Sequence, residues 1–377
     1  MRIQHLKTGL LFLSIACFVA CRNKDEKFLT TPTNASDSIY YAQGFLLETH
    51  ADYTLLSIIN PWNRSKILQR YVLAPKDADL SPHLPQGVVV RIPLDRTVAF
   101  SAVVCGMMNE LGVLSSLQGI AEPQYVAIPA VQEAVRAEKI QDIGRASQPN
   151  IEQLIMMEPE MLFSNPVNET GTENFNGVSS PTLPCLEWME SHPLGQAEWI
   201  RVFGRLFGLA EKSDSLFHAT VSAYNQLKDK ATQAVQRPTV LMEKKYGDIW
   251  YMPGGKSYFA HLLADAGADY LFRDNDESGS VPYSFETVLE RAEQADFWLF
   301  RYYSPQPLDY QQLAREYANY TLFDACRRHK IFVCNTLSKA NYYSELPLHP
   351  DWLLADLIAI FHPELTPHYQ KKYYVEL

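Results

Sequence analysis

Two glutamates stand at matched places in the chain. Glu152 follows Asn150 and Ile151 in "PNIEQLIMMEPEMLF", which begins at Pro149, and Glu286 follows Ser284 and Phe285 in "YSFETVLERAEQADFWLF", which begins at Tyr283. A carboxylate two residues after a capping Asn or Ser lies in the first turn of a helix, where the amino-terminal dipole favours it by about 0.3–1 kcal/mol. The dipole accounts for either acid alone, but not for the same placement twice. A matched pair of exposed acids suits a symmetric partner, for which charge pairing sets register and encounter rate more than raw affinity. A second chemistry comes from rings near expected strand ends: Trp250 and Tyr251, Tyr283, Tyr302 and Tyr303, and Tyr342 and Tyr343. Such side chains hold large flat ligands, and Arg145 and Arg301 could meet carboxylates or other anionic groups. In a chain that is 12% aromatic, some of these rings must belong to cores or surface turns.

Catalytic patterns are not found. No H-E-x-x-H, G-x-S-x-G or G-x-G-x-x-G occurs. "PGGKS" at Pro253 to Ser257 resembles part of a phosphate loop, but Trp250 stands where that loop needs glycine. It reads instead as a glycine turn that opens a helix, with free N–H groups pointing beyond the strand ends. His349, His362 and His368 lie in "LHPDW", "FHPEL" and "TPHY", where His-Pro marks helix edges, and the first half offers no matching ligand set at metal spacing. The chain reads as a binder, not an enzyme, with no metal site and no cofactor.

The elements that must position these residues alternate. "GFLLETHADYTLLSIINPW" and "KILQRYVLAP", between Gly44 and Pro75, read as a front β-hairpin or small meander. "GVVVRIPL" then reads as a strand, followed by the helix of "TVAFSAVVCGMMNELGVLSSLQGI", a β-α-β opening. Helix "PAVQEAVRAEKI", helix "IEQLIMME", strand "EMLFS" and strand "PCLEWME" complete a first lobe over 44–194. From Gly195 to Gln236 helical periodicity runs without proline, divided near Gly208, so that the second helix, Ser213 to Val235, is about 35 Å long. After Pro238 the alternation resumes through "TVLMEKKY", "YFAHLLADAGA", "DYLF", "KIFVCN" and "HPDWLLADLIAIFHPEL", a second lobe over 238–377. Alternating strands and helices imply parallel sheets covered on both faces. The expected class is α/β, with two Rossmann-like lobes joined through 195–237.

The 377 residues, 47% hydrophobic, suffice for two cores. A net charge of −10 without a long basic stretch argues against nucleic acid as partner. "MRIQHLKTGLLFLSIACFVA" places Arg2 and Lys7 before an apolar core, the layout of a secretory signal over 1–20. The following "FVAC" resembles a lipobox, which makes Cys21 the lipidated anchor of a protein held to a membrane of the cell envelope. Residues 21–43 read as a polar tether, and its "KDE" resembles tags that send some lipoproteins to the cell surface. Export permits disulfides among Cys105, Cys185, Cys326 and Cys334, although buried free thiols are equally compatible.

The paired "PNIEQLIMMEPEMLF" and "YSFETVLERAEQADFWLF", the connecting helix, "GGKSYFAHLLADAGADYLF" and "HPDWLLADLIAIFHPEL" together resemble class III substrate-binding proteins of ABC importers. This family includes the cobalamin-, siderophore- and haem-binding periplasmic proteins, and the resemblance spans about Val88 to Leu365. It implies a ligand cleft between two lobes joined by one rigid helix, and a monomer that delivers its cargo to a permease dimer in the inner membrane. Glu152 and Glu286 would dock onto that permease. The ligand loops would fall on Phe100, Ser101, Arg145, Trp250, Tyr251, Tyr283, Arg301 and Tyr302. The cargo it implies is an iron chelate, either a ferric siderophore or haem; a cobalamin or other corrinoid, or a surface-exposed capture role, is the alternative. The chain departs from the family in its front hairpin, in the loop from Pro166 to Pro184, and in Glu160, where Pro-Asp is usual.

Overall fold

The computed structural model describes residues 38–80, 83–168, 175, 177–337 and 341–377; the expected signal, Cys21 and most of the tether lie outside these. The chain begins with a four-stranded sheet of β1 (Phe45–Thr49), β2 (Thr54–Ile59), β3 (Ile67–Pro75) and β4 (Val88–Ile92). The first three strands form an antiparallel meander, and β4 joins β3 in parallel. "GVVVRI" therefore does not open the first lobe. Its alternating exposure matches a sheet with one solvated face, whereas the next strand, β5 (Thr97–Ala99), is buried throughout and sits centrally.

From β5 the first half builds a sheet ordered β11-β10-β5-β6-β7, with every pairing parallel. Its elements are α1 (Ala102–Leu111), β6 (Leu117–Ile120), α2 (Pro129–Arg136), β7 (Gln141–Asp142), the small ribbon β8 (Gly144–Arg145) and β9 (Gln148–Pro149), α3 (Ile151–Met157), β10 (Met161–Ser164) and β11 (Thr182–Pro184). The strand expected over "PCLEWME" ends at Pro184, and Glu187–Met189 form a single 3-10 turn.

Three helices follow: α4 (Pro193–Glu198), α5 (Ile200–Leu206) and α6 (Ala210–Ala231), with Gly208 at φ 68° dividing α5 from α6 as its freedom at positive φ allows. The buried residues of α6 are Ser213, Phe217, Thr220, Tyr224 and Ala231, a single stripe at helical spacing. Phe217 joins the core of the first half, and Tyr224 and Ala231 join that of the second. Thus α6, 22 residues long, packs against both α5 and the C-terminal helix.

The second half repeats the plan with a sheet ordered β14-β12-β16-β17-β18. It comprises β12 (Thr239–Met242), β13 (Trp250–Pro253), α7 (Tyr258–Asp265), β14 (Asp269–Tyr270), β15 (Ser280–Tyr283), α8 (Phe285–Ala292), β16 (Phe297–Tyr302), α9 (Tyr310–Glu316), α10 (Asp324–Arg327), β17 (Ile331–Asn335), α11 (Tyr342–Glu345), α12 (Pro350–Phe361) and β18 (Val375–Glu376). Only β18 runs antiparallel in this sheet, and β13 pairs with β15 in a separate ribbon. The architecture is mixed α/β, as expected.

The duplicated stretch has the same local structure twice. The Asn150 side chain accepts from the Gln153 amide at 3.1 Å, and Ser284 Oγ accepts from the Thr287 amide at 3.2 Å, each capping the helix that follows. The acids at the far ends also correspond. Glu160 accepts from the amides of Asp95 and Arg96, which lead into β5, and Asp296 accepts from the amide of Thr239, which opens β12. Each carboxylate thereby satisfies backbone donors at the amino-terminal end of an interior strand of a sheet. Glu160 performs this task in the usual place of an aspartate and gains an ion pair with Lys76 at 3.0 Å.

The four described cysteines, Cys105, Cys185, Cys326 and Cys334, are buried as thiols and not joined in disulfides. Burial pushes Cys105 up to about 12, so it stays a packed thiol and not a nucleophile.

Candidate functional site

A cavity of about 700 Å³ opens between the two halves, within the range of small-molecule sites. The first half supplies Val103 at the start of α1 and the turn Glu187, Trp188 and Met189, backed by Glu190 and Gln196. The second half supplies Glu243 and Lys244 after β12, Tyr246, Tyr251, the start of α7 at Ser257 to Phe259, Arg301 on β16, and Tyr343 on α11.

The second-half wall is built on an ion pair. Glu243 adopts a φ of 56°, a left-handed conformation uncommon for a residue with a side chain. Its backbone is pinned there, since its amide donates to Leu299 O at 2.8 Å and its carbonyl accepts the indole N–H of Trp298 at 2.6 Å. Glu243 Oε1 thereby accepts from Arg301, Nε lying at 3.1 Å and Nη2 also in contact. The guanidinium sits 4.7 Å from the Phe259 ring centroid, a cation–π arrangement that holds its plane. Lys244 is paired with Glu316 at 2.6 Å. Tyr251, 43% exposed, extends from β13 opposite Pro282 with its ring free to meet a ligand.

Of the eight ligand positions expected from sequence, Tyr251 and Arg301 line this cavity. Trp250 does not: it is 0% exposed, packs against Trp298, Tyr320 and Phe323, and donates its indole N–H to Met242 O at 3.0 Å. Strand alternation sends neighbours to opposite faces, so only one of Trp250 and Tyr251 can face the ligand. Phe100 is buried against Phe175, while Ser101 caps α1 by accepting from the Val104 amide. Arg145 is exposed on the β8–β9 ribbon, away from the cavity lining. Tyr283 packs on Phe272 beside Arg291, and the Tyr302 hydroxyl accepts from the Leu308 amide; neither lines the cavity. Tyr342 is buried, and its neighbour Tyr343 is the one that reaches the cavity.

The glycine turn of "PGGKS" differs from expectation in one respect. Its amides are not free: Gly254 donates to Gly279 O, Gly255 to Asn275 Oδ1 and Lys256 to Glu277 O. A Cβ on Gly254 would lie 2.2 Å from Glu277 O, so glycine serves the close approach of the 275–279 loop. The loop's Ser278 to Ser280 in turn form part of the cavity rim.

Glu187, Trp188 and Met189 were not read from sequence as site residues. The sequence predicts a strand here, in which Trp188 and Glu187 cannot share a face; the structure has a 3-10 turn, which gathers them. Burial, reinforced by the charge of Glu190, pushes the Glu187 carboxyl up to about 7. Glu190 is itself raised by burial, against the opposing pull of the amides of Gln43 and Gly44 and the Trp199 indole.

His349 stacks on Trp352 at 3.7 Å with Nε2 3.3 Å from Glu110, and His362 is buried beside Gly267 O, both structural placements. Among the described residues no group of three or more His, Cys, Asp or Glu side chains could hold a metal ion. Glu152 and Glu286 are exposed at the first turns of α3 and α8, one in each half.

Comparison with known proteins fits this geometry. An uncharacterized lipoprotein of Methanocaldococcus jannaschii is 23% identical over 354 residues, covering 85% of this chain and 82% of the relative. A possible iron-binding (periplasmic solute-binding) protein from Staphylococcus epidermidis superimposes with a TM-score of 0.56 at 15% identity, over 72% of this chain and 100% of the other. A periplasmic heme-binding protein from Pseudomonas aeruginosa gives 0.55 at 17% identity, over 72% and 93%. An ABC-type Fe3+-hydroxamate transport protein from Saccharomonospora viridis gives 0.55 at 20%, over 72% and 94%. The periplasmic binding protein family matches residues 98–336, from the central strand of the first half to the last parallel strand of the second, and the chain belongs to that family.

Proposed function

We propose that this protein is a lipid-anchored solute-binding protein that holds an iron chelate, a ferric siderophore or haem, between its halves and delivers it to an ABC permease. The observation that carries the reading is the cavity of about 700 Å³ with the Tyr251 ring, the Phe259-backed Arg301 and Tyr343 on one wall and Trp188 on the other. Rings and a planar cation suit a broad, partly apolar chelate, and a ligand spanning both walls gives each half a share of the binding energy. The printed descriptions of structural relatives, heme-binding and Fe3+-hydroxamate transport, support the same class. In this reading the lobes are 44–194 and 238–377, with 195–237 between them, and Glu152 and Glu286 are the permease contacts. Anchoring through Cys21 is supported by the lipoprotein relative.

The test is a titration of the purified protein with haem, ferric siderophores and cobalamin, followed by tryptophan fluorescence, since Trp188 on the cavity wall reports directly. Quenching by an iron chelate is expected. Quenching by cobalamin alone would reassign the cargo to a corrinoid, and none by any of them would overturn the reading. Protease shaving of intact cells separates a periplasm-facing protein, which survives, from a surface-exposed one, which does not.

A further inference from the structure

The turn Glu187–Met189 follows β11 and forms the first-half wall of the cavity. The other charged groups on the lining already have partners. Glu243 holds Arg301 and Glu316 holds Lys244, while Glu190 accepts from the Gln43 and Gly44 amides and from the Trp199 indole at 3.0 Å. Glu187 differs. It is 2% exposed, and its Oε2 has no hydrogen-bond partner among the described residues. Folded proteins seldom leave a buried polar atom unpaired, and where they do, the group is generally completed by something else.

We propose that Glu187 reads the cargo: the ligand places a cationic nitrogen (an ammonium or guanidinium) against Oε2 of Glu187, while its body lies on the opposite wall. This rests on the solute-capture reading above and narrows it. The groups near Glu187 decide the sign. Glu190 and the thiol Cys185 lie on its own segment, and the cations across the cavity, Arg301 and Lys244, are each neutralised by a carboxylate. No net positive charge faces Glu187. An anionic rim group entering here would meet two buried acids, whereas a donor nitrogen would complete the vacant acceptor. Because burial keeps Glu187 protonated to about pH 7, an arriving ammonium displaces that proton to solvent, leaving a carboxylate–ammonium pair. Chelates edged with amines are therefore favoured over those edged with carboxylates, such as haem.

The test compares a ferric trihydroxamate carrying a free terminal amine with its N-acetylated form and with haem, on the full chain and on Glu187→Gln. Thermal melting confirms that the variant is folded. The amine form should bind the wild type about tenfold or more tightly than the acetylated form, as expected for one charge-assisted hydrogen bond. That preference should disappear in Glu187→Gln, and calorimetry near pH 6.5 in buffers of different ionisation enthalpy should show a proton released only by the wild type. Equal affinities, a preference that survives in Glu187→Gln, or binding of haem alone would overturn the inference while leaving solute capture intact. Failure of all three ligands to bind would overturn the capture of iron chelates, and this inference with it.

Discussion

Glu198→Ala should unfasten the segment Ser38 to Ala42 from the body. Glu198 is 0% exposed at the end of α4, and it accepts from three successive amides, Tyr40 at 2.9 Å, Tyr41 at 2.8 Å and Ala42 at 2.8 Å, as well as from Arg201 Nη1 at 2.9 Å. Removing one partner of a buried ion pair costs about 3–5 kcal/mol, because the other charge stays buried. Here the remaining cation is not wholly stranded, since Arg201 also holds Asp214 at 2.8 Å and Ser38 O at 2.7 Å. The loss should therefore fall near the lower end, about 3 kcal/mol. The three amides can recover hydrogen bonds only from water, so residues 38–42 should peel away before the body unfolds, while Gln43 and Gly44 stay on Glu190. Urea denaturation measures the first effect: with a slope of about 3 kcal/mol/M the midpoint falls by about 1 M. Hydrogen exchange at residues 40–42 measures the second. Glu198→Gln, which keeps an acceptor but not the charge, should lose less. A fall below about 1 kcal/mol with those amides still protected would refute the idea that this carboxylate holds the segment.

Other outcomes follow from single contacts. A Cβ at Gly106 would lie 2.1 Å from Ser344 O, so Gly106→Ala must part α1 from α11, at a cost of about 1–3 kcal/mol, and an unchanged melting temperature would contradict this. Glu187 is raised from 4.5 to about 7, so between those values the folded chain binds the extra proton and stability falls as pH rises, by about 3 kcal/mol in all. Glu187→Gln should therefore gain on the wild type between pH 4 and pH 8 in urea titrations, and a stability difference, variant minus wild type, that falls with rising pH would show the opposite shift. Tyr251→Ala and Tyr343→Ala should each weaken chelate binding by about 3–10-fold, the worth of one aromatic contact, as read by fluorescence titration. Replacing Glu152 and Glu286 together by lysine should abolish cellular uptake while leaving the purified protein's affinity unchanged, and a joint loss would place these acids elsewhere in the mechanism.

The repeated helix and strand were legible because their signals are local. A capping residue, an acid in the first turn and a buried apolar run are written within about twenty residues in each copy, and both caps form. The front meander was legible but its fourth strand was not: whether Val88–Ile92 pairs with β3 or opens the next sheet depends on partners far along the chain. The site was harder still. Trp250 and Tyr251 have similar composition and adjacent numbers, and only the face that β13 turns to the core separates an anchor of packing from a ligand contact. Arg301 was found from its place at a strand end, but its partner Glu243 was not, because nothing in "LMEKKY" marks a left-handed φ held by Leu299 and Trp298.

The first-half wall shows what a short motif cannot encode. Glu190 lines the cavity and at the same time accepts from the amides of Gln43 and Gly44, while eight residues further on Glu198 takes the three amides just before them. The same short segment, Tyr40 to Gly44, is therefore fastened to the turn that carries Glu187. Two carboxylates share five consecutive backbone donors, a count that no single helix cap reaches. Disturbing either acid should then alter the cavity as well as the segment, and the two can be ordered. Glu198 bonds the segment and Arg201, so its loss should reach ligand affinity weakly. Glu190 bears on Trp199, the segment and the wall at once, so Glu190→Gln should move affinity more than stability.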